Sequence, residues 1–289
     1  MKKCLLGIVF FVSYFLNAQL TDLARLEYSF IPKNNSEDQY TRIRALVNYP
    51  IEVKEDSYFV VGGEYNRIFL NLNDKYPFNT SFLETITVID LNFAYTYKMN
   101  DIWRVAYSIS PRLASTLNKK LTKDDFFLNG GVFFIKDRTK AKDIAKPYRL
   151  ILGLTYNTTA GIPFPLPLIS YFRQMNEKWS YTVGVPKMNL KYAFSPEKNL
   201  QSFVGLDGYF AHLQRPETVN GDQVDNISLS LIVAGLGYEY QFTKHLVWYT
   251  YGGYTLRLNN VLRNKDRDNV FTLDNINAFY LRTGIKFKI

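Results

Sequence analysis

The chain is almost free of cysteine. Cys4 is the only one in 289 residues, and it lies in a segment read below as a removable leader. An exported chain without cysteine has no disulfide framework, no thiolate zinc site and no cysteine nucleophile. The fold must then be held by hydrogen-bond ladders and packing. Histidine is nearly as scarce. His212 and His245 are too far apart in sequence to suggest a shared metal site, and neither has beside it a serine motif that would suggest a hydrolytic triad. His245 falls in a tight turn beside Lys244 and reads as a solvated turn residue. His212 precedes Gln214-Arg215-Pro216 and reads as an exposed rim residue. No catalytic, cofactor-binding or metal-ligating residue is therefore assigned, and no enzymatic activity is expected.

Long apolar runs are missing too. Beyond Leu16 no stretch approaches the roughly 18 continuous apolar residues of a membrane-spanning helix. Acidic residues are outnumbered, 26 against 35 Lys and Arg, for a formal charge of +9. That becomes +7 without Lys2 and Lys3. The basic residues are spread along the chain rather than gathered in a patch, so nucleic acid is not the expected partner.

What is present begins with a leader. Lys2 and Lys3 precede the apolar Leu5 to Leu16, and Asn17-Ala18-Gln19 supplies a small residue before a polar one. That is a secretory signal peptide over 1–18, cleaved after Ala18 and exported by the Sec pathway. Cys4 precedes the apolar region, whereas a lipid-modified cysteine follows it. Residues 19–289 then form one domain.

Its dominant feature is alternation. From Phe279 to Ile289 the odd positions are Phe279, Leu281, Thr283, Ile285, Phe287 and Ile289, and the even positions include Tyr280, Arg282, Gly284, Lys286 and Lys288. In a strand these are opposite faces, one apolar and one cationic. The same sense recurs at Leu26, Tyr28 and Phe30; at Ile43, Val47 and Tyr49; at Ile89, Leu91 and Tyr95; at Tyr107 and Ile109; and at Leu152, Leu154 and Tyr156. Ile227, Leu229, Leu231 and Val233 are assigned to the same outward face. The opposing face carries too many charges for a dry core. That rules against a soluble β-sandwich and predicts a transmembrane antiparallel up-and-down β-barrel, with lipid outside and water inside. Aromatic residues, at 16 % of the chain, suit strands and membrane interfaces.

About fourteen strands are expected, over 22–31, 40–50, 57–70, 84–97, 102–113, 127–136, 147–157, 168–175, 178–185, 188–194, 200–213, 226–242, 245–258 and 277–289. Twelve is the alternative if the segments flanking Val185-Pro186-Lys187 form one irregular excursion. Short turns such as Met99 to Ile102 and Met175 to Lys178 alternate with longer polar stretches at 32–39, 71–83, 116–125, 214–225 and 259–275. That suits periplasmic turns and external loops. Pro163, Pro165 and Pro167 cannot donate to a ladder, so 158–167 reads as a stiff loop, with a fold into the lumen as a constriction its sharper reading.

Asp22 to Tyr28, Thr159 to Pro167, Trp179 to Pro186 and the closing strand together resemble an uncharacterised family of outer-membrane β-barrel proteins from Bacteroidota. The resemblance implies the outer membrane of a Gram-negative bacterium and a barrel, and carries no activity or functional residue. The closing strand also resembles the signal read by the barrel-assembly machinery, with Gly284, Phe287 and Ile289 in the positions that matter. Ile289 departs from the aromatic residue that commonly ends it. Outer-membrane lipid and the assembly machinery are the partners so implied.

On strand parity, Arg25, Arg42, Arg44, Arg104, Arg112, Arg149, Arg257, Arg282, Lys286 and Lys288 line the lumen, against Glu27, Glu64, Asp90 and Asp207. A cationic lining favours anions. An anion-favouring channel or transport barrel for small anionic solutes is the first expectation. A barrel closed by internal ion pairs, binding partners through its loops, is the second.

Overall fold

The computed structural model describes residues 22–141, 145–158 and 164–288. The leader and Ile289 lie outside these. The chain forms β1 (Ala24–Ile31), β2 (Gln39–Lys54), β3 (Ser57–Asn71), β4 (Thr85–Lys98), β5 (Trp103–Ser115), β6 (Phe126–Asp137), β7 (Tyr148–Asn157), β8 (Phe164–Gln174), β9 (Trp179–Val185), β10 (Lys187–Ala193), β11 (Lys198–Val219), β12 (Asp222–Gln241), β13 (Leu246–Arg263), β14 (Asn269–Thr272) and β15 (Phe279–Phe287).

Neighbours in sequence pair antiparallel, and β15 lies between β13 and β1. The seam runs from Ala24↔Phe287 to Phe30↔Leu281. β14 only extends the end of β13. The wall is thus a closed barrel of fourteen staves. β9 and β10 are separate staves, joined through Pro186, so the twelve-strand alternative falls.

Short turns build one rim, and side-chain acceptors explain why they are tight. The Asn100 side chain accepts from the backbone N–H of Ile102 and Trp103 at 3.0 and 2.9 Å. Asn176 repeats this with Lys178 and Trp179 at 2.9 and 2.8 Å. Thr243 does the same for His245 and Leu246. Such residues substitute for a missing backbone partner in a turn. Aromatic pairs gather above these turns, among them Trp179–Tyr192, Tyr192–Phe194, Tyr238–Trp248 and Tyr240–Phe242. They form an interfacial girdle. Away from it the wall shows lipid-facing side chains such as Leu26, Leu154, Leu236 and Phe279.

Three expectations about the strands are corrected. Ile227, Leu229, Leu231 and Val233 point inward and are buried, and the opposite side of the strand there carries Asn226, Ser228 and Ser230. The segment 214–225 is not a loop: β11 and β12 continue as a ladder through Glu217↔Val224 to a turn at Asn220-Gly221. Pro165 and Pro167 lie within β8, paired with Tyr156 and Leu154. The proline objection holds only where a second neighbour would need the missing N–H. β9 pairs β8 no further than Ile169↔Val185. Beyond that, the side to which Pro165 and Pro167 turn their backbone is a free edge among the described residues, where proline is tolerated. Pro163 lies outside the described residues.

The interior has two parts. At Gly208 a Cβ would sit 2.1 Å from the carbonyl oxygen of Leu229, so only glycine admits that approach. Past it, β11 leaves its place in the wall. His212 is half-buried beside Ser115 of β5, rather than at an exposed rim. Phe210, on the outward parity of β11, is buried edge-on against Phe127 of β6 at 5.6 Å. The outer end of β11 therefore crosses the barrel inside β6. It completes a packed apolar core with Ile31, Tyr40, Ile68, Leu83, Tyr209, Leu213, Ile227 and Leu262. Below this core the interior is polar and partly exposed.

Candidate functional site: the ion-paired interior

Arg42 on β2 and Asp207 on β11 face each other across the lumen, with β1, β15, β13 and β12 between them in the wall. The Arg42 Nη1 and Nη2 donate to the two Asp207 oxygens at 2.8 and 2.7 Å. Arg282 on β15 adds a bond to Asp207 Oδ2 at 2.5 Å, and the Tyr280 hydroxyl donates to the same oxygen at 3.2 Å. Glu27 lies 3.7 Å from Arg282 and accepts from the Tyr249 hydroxyl at 2.7 Å. Bidentate pairing fixes geometry as well as charge.

Further pairs surround this clasp. Arg44 meets Glu64 at 2.7 Å. Arg112 holds both oxygens of Asp90 at 2.6 and 2.8 Å and donates to Thr158. Arg257 donates to Asp274 at 2.7 Å. Lys191 and Lys286 share Glu239 at 2.6 and 3.0 Å, with the Tyr251 hydroxyl a third donor at 2.9 Å. At the turn rim, Arg25, Arg104 and Arg149 make looser pairs with Asp22, Asp56 and Asp137 at 3.5, 3.8 and 4.0 Å. Lys288 donates to Gln241.

Of the ten cations that strand parity assigns to the lumen, nine have a carboxylate partner, and Lys288 instead donates to Gln241. The expected cation excess is therefore overstated. Asp56 and Asp274 sit in connections, where strand parity assigns no face, while Asp22 precedes β1 and Asp137 is the last residue of β6. Glu239 was missed because β12 was given the wrong sense. Lys187 and Lys191 were missed as well, though Lys187, Asn189 and Lys191 alternate with Met188, Leu190 and Tyr192 as plainly as elsewhere.

The loops at the rim opposite the short turns hold one more acidic group. Asp38, Asp74 and Asp274 bring carboxylate oxygens within 4.8 Å of one another. Each is already engaged. Asp38 accepts from the backbone of Asn73 and Asp74 and from the Tyr76 hydroxyl. Asp74 accepts from Ser36 and Glu37, and Asp274 from Arg257 and Ile276. Burial, reinforced by Asp38, pushes the Tyr76 phenol well above its ordinary range. The cluster ties three loops together.

Of the closing-strand residues that resemble an assembly signal, Phe287 closes both seams opposite Ala24 and Leu246, and Gly284 lies inward opposite Glu27. His245 remains an exposed turn residue, with its Nδ1 2.9 Å from the Lys288 carbonyl.

Residues 18–288 match the sequence profile of a family described as Domain of unknown function (DUF6268). The chain belongs to that family. No curated protein sequence matches it. Among solved structures it is similar to the NanC porin, at 10 % identity and TM-score 0.41 over 92 % of this chain and 100 % of that one. LpxR from Salmonella typhimurium gives 9 %, 0.41, 92 % and 99 %, and the KdgM porin 9 %, 0.38, 92 % and 99 %. Likeness at this level says nothing about solute or chemistry in this chain, whose barrel stands on its own closed ladder.

Proposed function

We propose that this family member is an outer-membrane barrel, closed to free diffusion, that acts by binding rather than by catalysis or open passage. The observation that carries the reading is the Arg42–Asp207–Arg282 clasp beneath a packed apolar core. A permeation path needs a continuous polar channel of adequate width. Here the external half of the interior is occupied by side chains such as Tyr40, Tyr209, Leu213 and Ile227. The exposed apolar wall and the aromatic girdle support membrane insertion with the turn rim toward the periplasm. That orientation, Sec export, cleavage after Ala18 and delivery by the barrel-assembly machinery belong to the same proposal. The His212 backbone joins β11 to β5, and His245 lies in a turn at the opposite rim, an arrangement that favours no shared catalytic site.

A second reading keeps the anion-favouring transport barrel, with the clasp as its gate. It is favoured by the lysines that converge on a single carboxylate, Glu239. Liposome swelling separates the two. Vesicles carrying the protein should shrink and stay shrunken in a sugar or a small organic anion. Rapid re-swelling in the anion alone would establish the second reading.

A further inference from the structure

The inner faces of β6, β7 and β8 differ from the rest of the interior. Cross-strand partners place Phe133 beside Gly153, Ile135 beside Ile151, Gly153 beside Leu168, and Arg149 beside Phe172. Leu166 lies on the same face, opposite Thr155. Phe133, Ile135, Ile151, Leu166, Leu168 and Phe172 are all partly exposed, and none belongs to the packed core or packs against it. The Phe133 ring lies across two glycines. A Cβ at Gly131 or Gly153 would sit 2.8 or 2.6 Å from it, so both positions keep this face flat. An accessible apolar surface of this kind, outside the packed core, is a place for a ligand.

The same region opens sideways. β9 and β10 are seven residues each. Their tip, Val185-Pro186-Lys187, reaches only Ile169 on β8 and Gly205 and Leu206 on β11. Above the tip, Phe164–Leu168 has no partner on that side among the described residues, and β11 moves inward. The wall is therefore notched at the level of its lipid-facing side chains.

Lys187 stands at the sill of the notch, on the inward parity of β10. Its ammonium lies 5.6 Å from the centre of the Phe203 ring and 5.0 Å from that of Tyr251. Among the described residues no carboxylate lies within ion-pairing distance of it, whereas Lys191 and Lys286 share Glu239. An accessible cation at the end of an apolar surface matches one kind of molecule.

We propose that the apolar inner face of β6–β8 and Lys187 together bind a single-chain anionic amphiphile, which reaches them from the lipid through the notch between β8 and β11. The acyl chain lies against Phe133, Ile151 and Leu168, and the acidic head meets the Lys187 ammonium. This binding is independent of whether the barrel conducts.

Native mass spectrometry of the folded protein, released from neutral detergent with dodecanoate or dodecanol, tests it. Wild type should retain one dodecanoate. Lys187→Gln should weaken dodecanoate about tenfold, a change of roughly 1.4 kcal/mol, and leave dodecanol unchanged. Leu168→Glu, which places a like charge on the apolar face, should remove dodecanoate while heat-modifiable migration shows the barrel still folded. Equal dodecanoate retention in wild type and Lys187→Gln would overturn the proposal, as would no adduct in wild type. If Leu168→Glu fails to fold, Leu168→Gln replaces it with the same expected loss.

Discussion

Arg42 and Asp207, on opposite walls of the barrel, are joined by two hydrogen bonds of 2.8 and 2.7 Å across the lumen. Arg42 is only 4 % exposed. Removing one partner of such a pair leaves a buried charge uncompensated and costs about 3–5 kcal/mol. Asp207→Ala should therefore lower stability by that order in urea unfolding from lipid vesicles. Arg149→Ala, whose partner lies 4.0 Å away in a half-exposed setting, should cost under about 1 kcal/mol. Equal effects would mean that Asp207 is not buried in a clasp.

Leu154 and Leu229 separate the lipid face from the core. Leu154 is 57 % exposed on the outer wall, and Leu229 is 4 % exposed among inward side chains. Leu229→Phe overpacks a dense site and should cost about 1–3 kcal/mol, while Leu154→Phe meets yielding lipid and should be nearly neutral. Leu154→Arg should cost about 2–4 kcal/mol if it lies at mid-bilayer. Refolding yields into vesicles of defined thickness report all three. A neutral Leu229→Phe would place that residue back on the lipid face.

Pro167 tests the free edge of β8. Pro167→Val introduces a backbone N–H with no acceptor among the described residues, and an unsatisfied donor in an apolar setting costs roughly 1–3 kcal/mol. Amide exchange and urea unfolding of the variant check this. An unchanged or raised stability would show that a partner strand is present on that side.

Tyr76 supplies a pH dependence. Its phenol is held above the ordinary tyrosine value of about 10 by burial and by its bond to Asp38. A pKa raised on folding gives stability that is whole below the unfolded value and lost as pH rises through the folded one. The loops joined by Asp38, Asp74 and Asp274 should stay tied at neutral pH and loosen only in strong alkali. The ultraviolet difference titration of wild type against Tyr76→Phe should show one late tyrosine. An ordinary titration of that tyrosine would contradict the loop arrangement.

Much of the barrel is legible in the sequence because charge marks the inner face. Arg42 and Arg44 in β2, or Arg282 and Lys286 in β15, fix the sense of their strands, and fourteen staves follow. Around Leu229 and Leu231 β12 has only Ser228 and Ser230 opposite, and the charge that marks its inner parity, Glu239, lies near the far end of the strand. Its sense comes from the distant core it completes with Tyr40 and Ile68. That error also hid Glu239. The prolines of β8 misled for a similar reason: whether Pro165 needs an N–H depends on how far β9 extends, which is a property of another segment. The partners of Arg104 and Arg257 were beyond reach because Asp56 and Asp274 lie in connections, where no periodicity applies.

Planar-bilayer recording tests closure of the barrel most directly. Wild-type protein, inserted in verified folded form, should give no reproducible current steps across a range of voltages and in salts of differing anions. A stable open step in the wild type, at any of these voltages, would contradict a lumen sealed by the Arg42–Asp207 clasp and its overlying core.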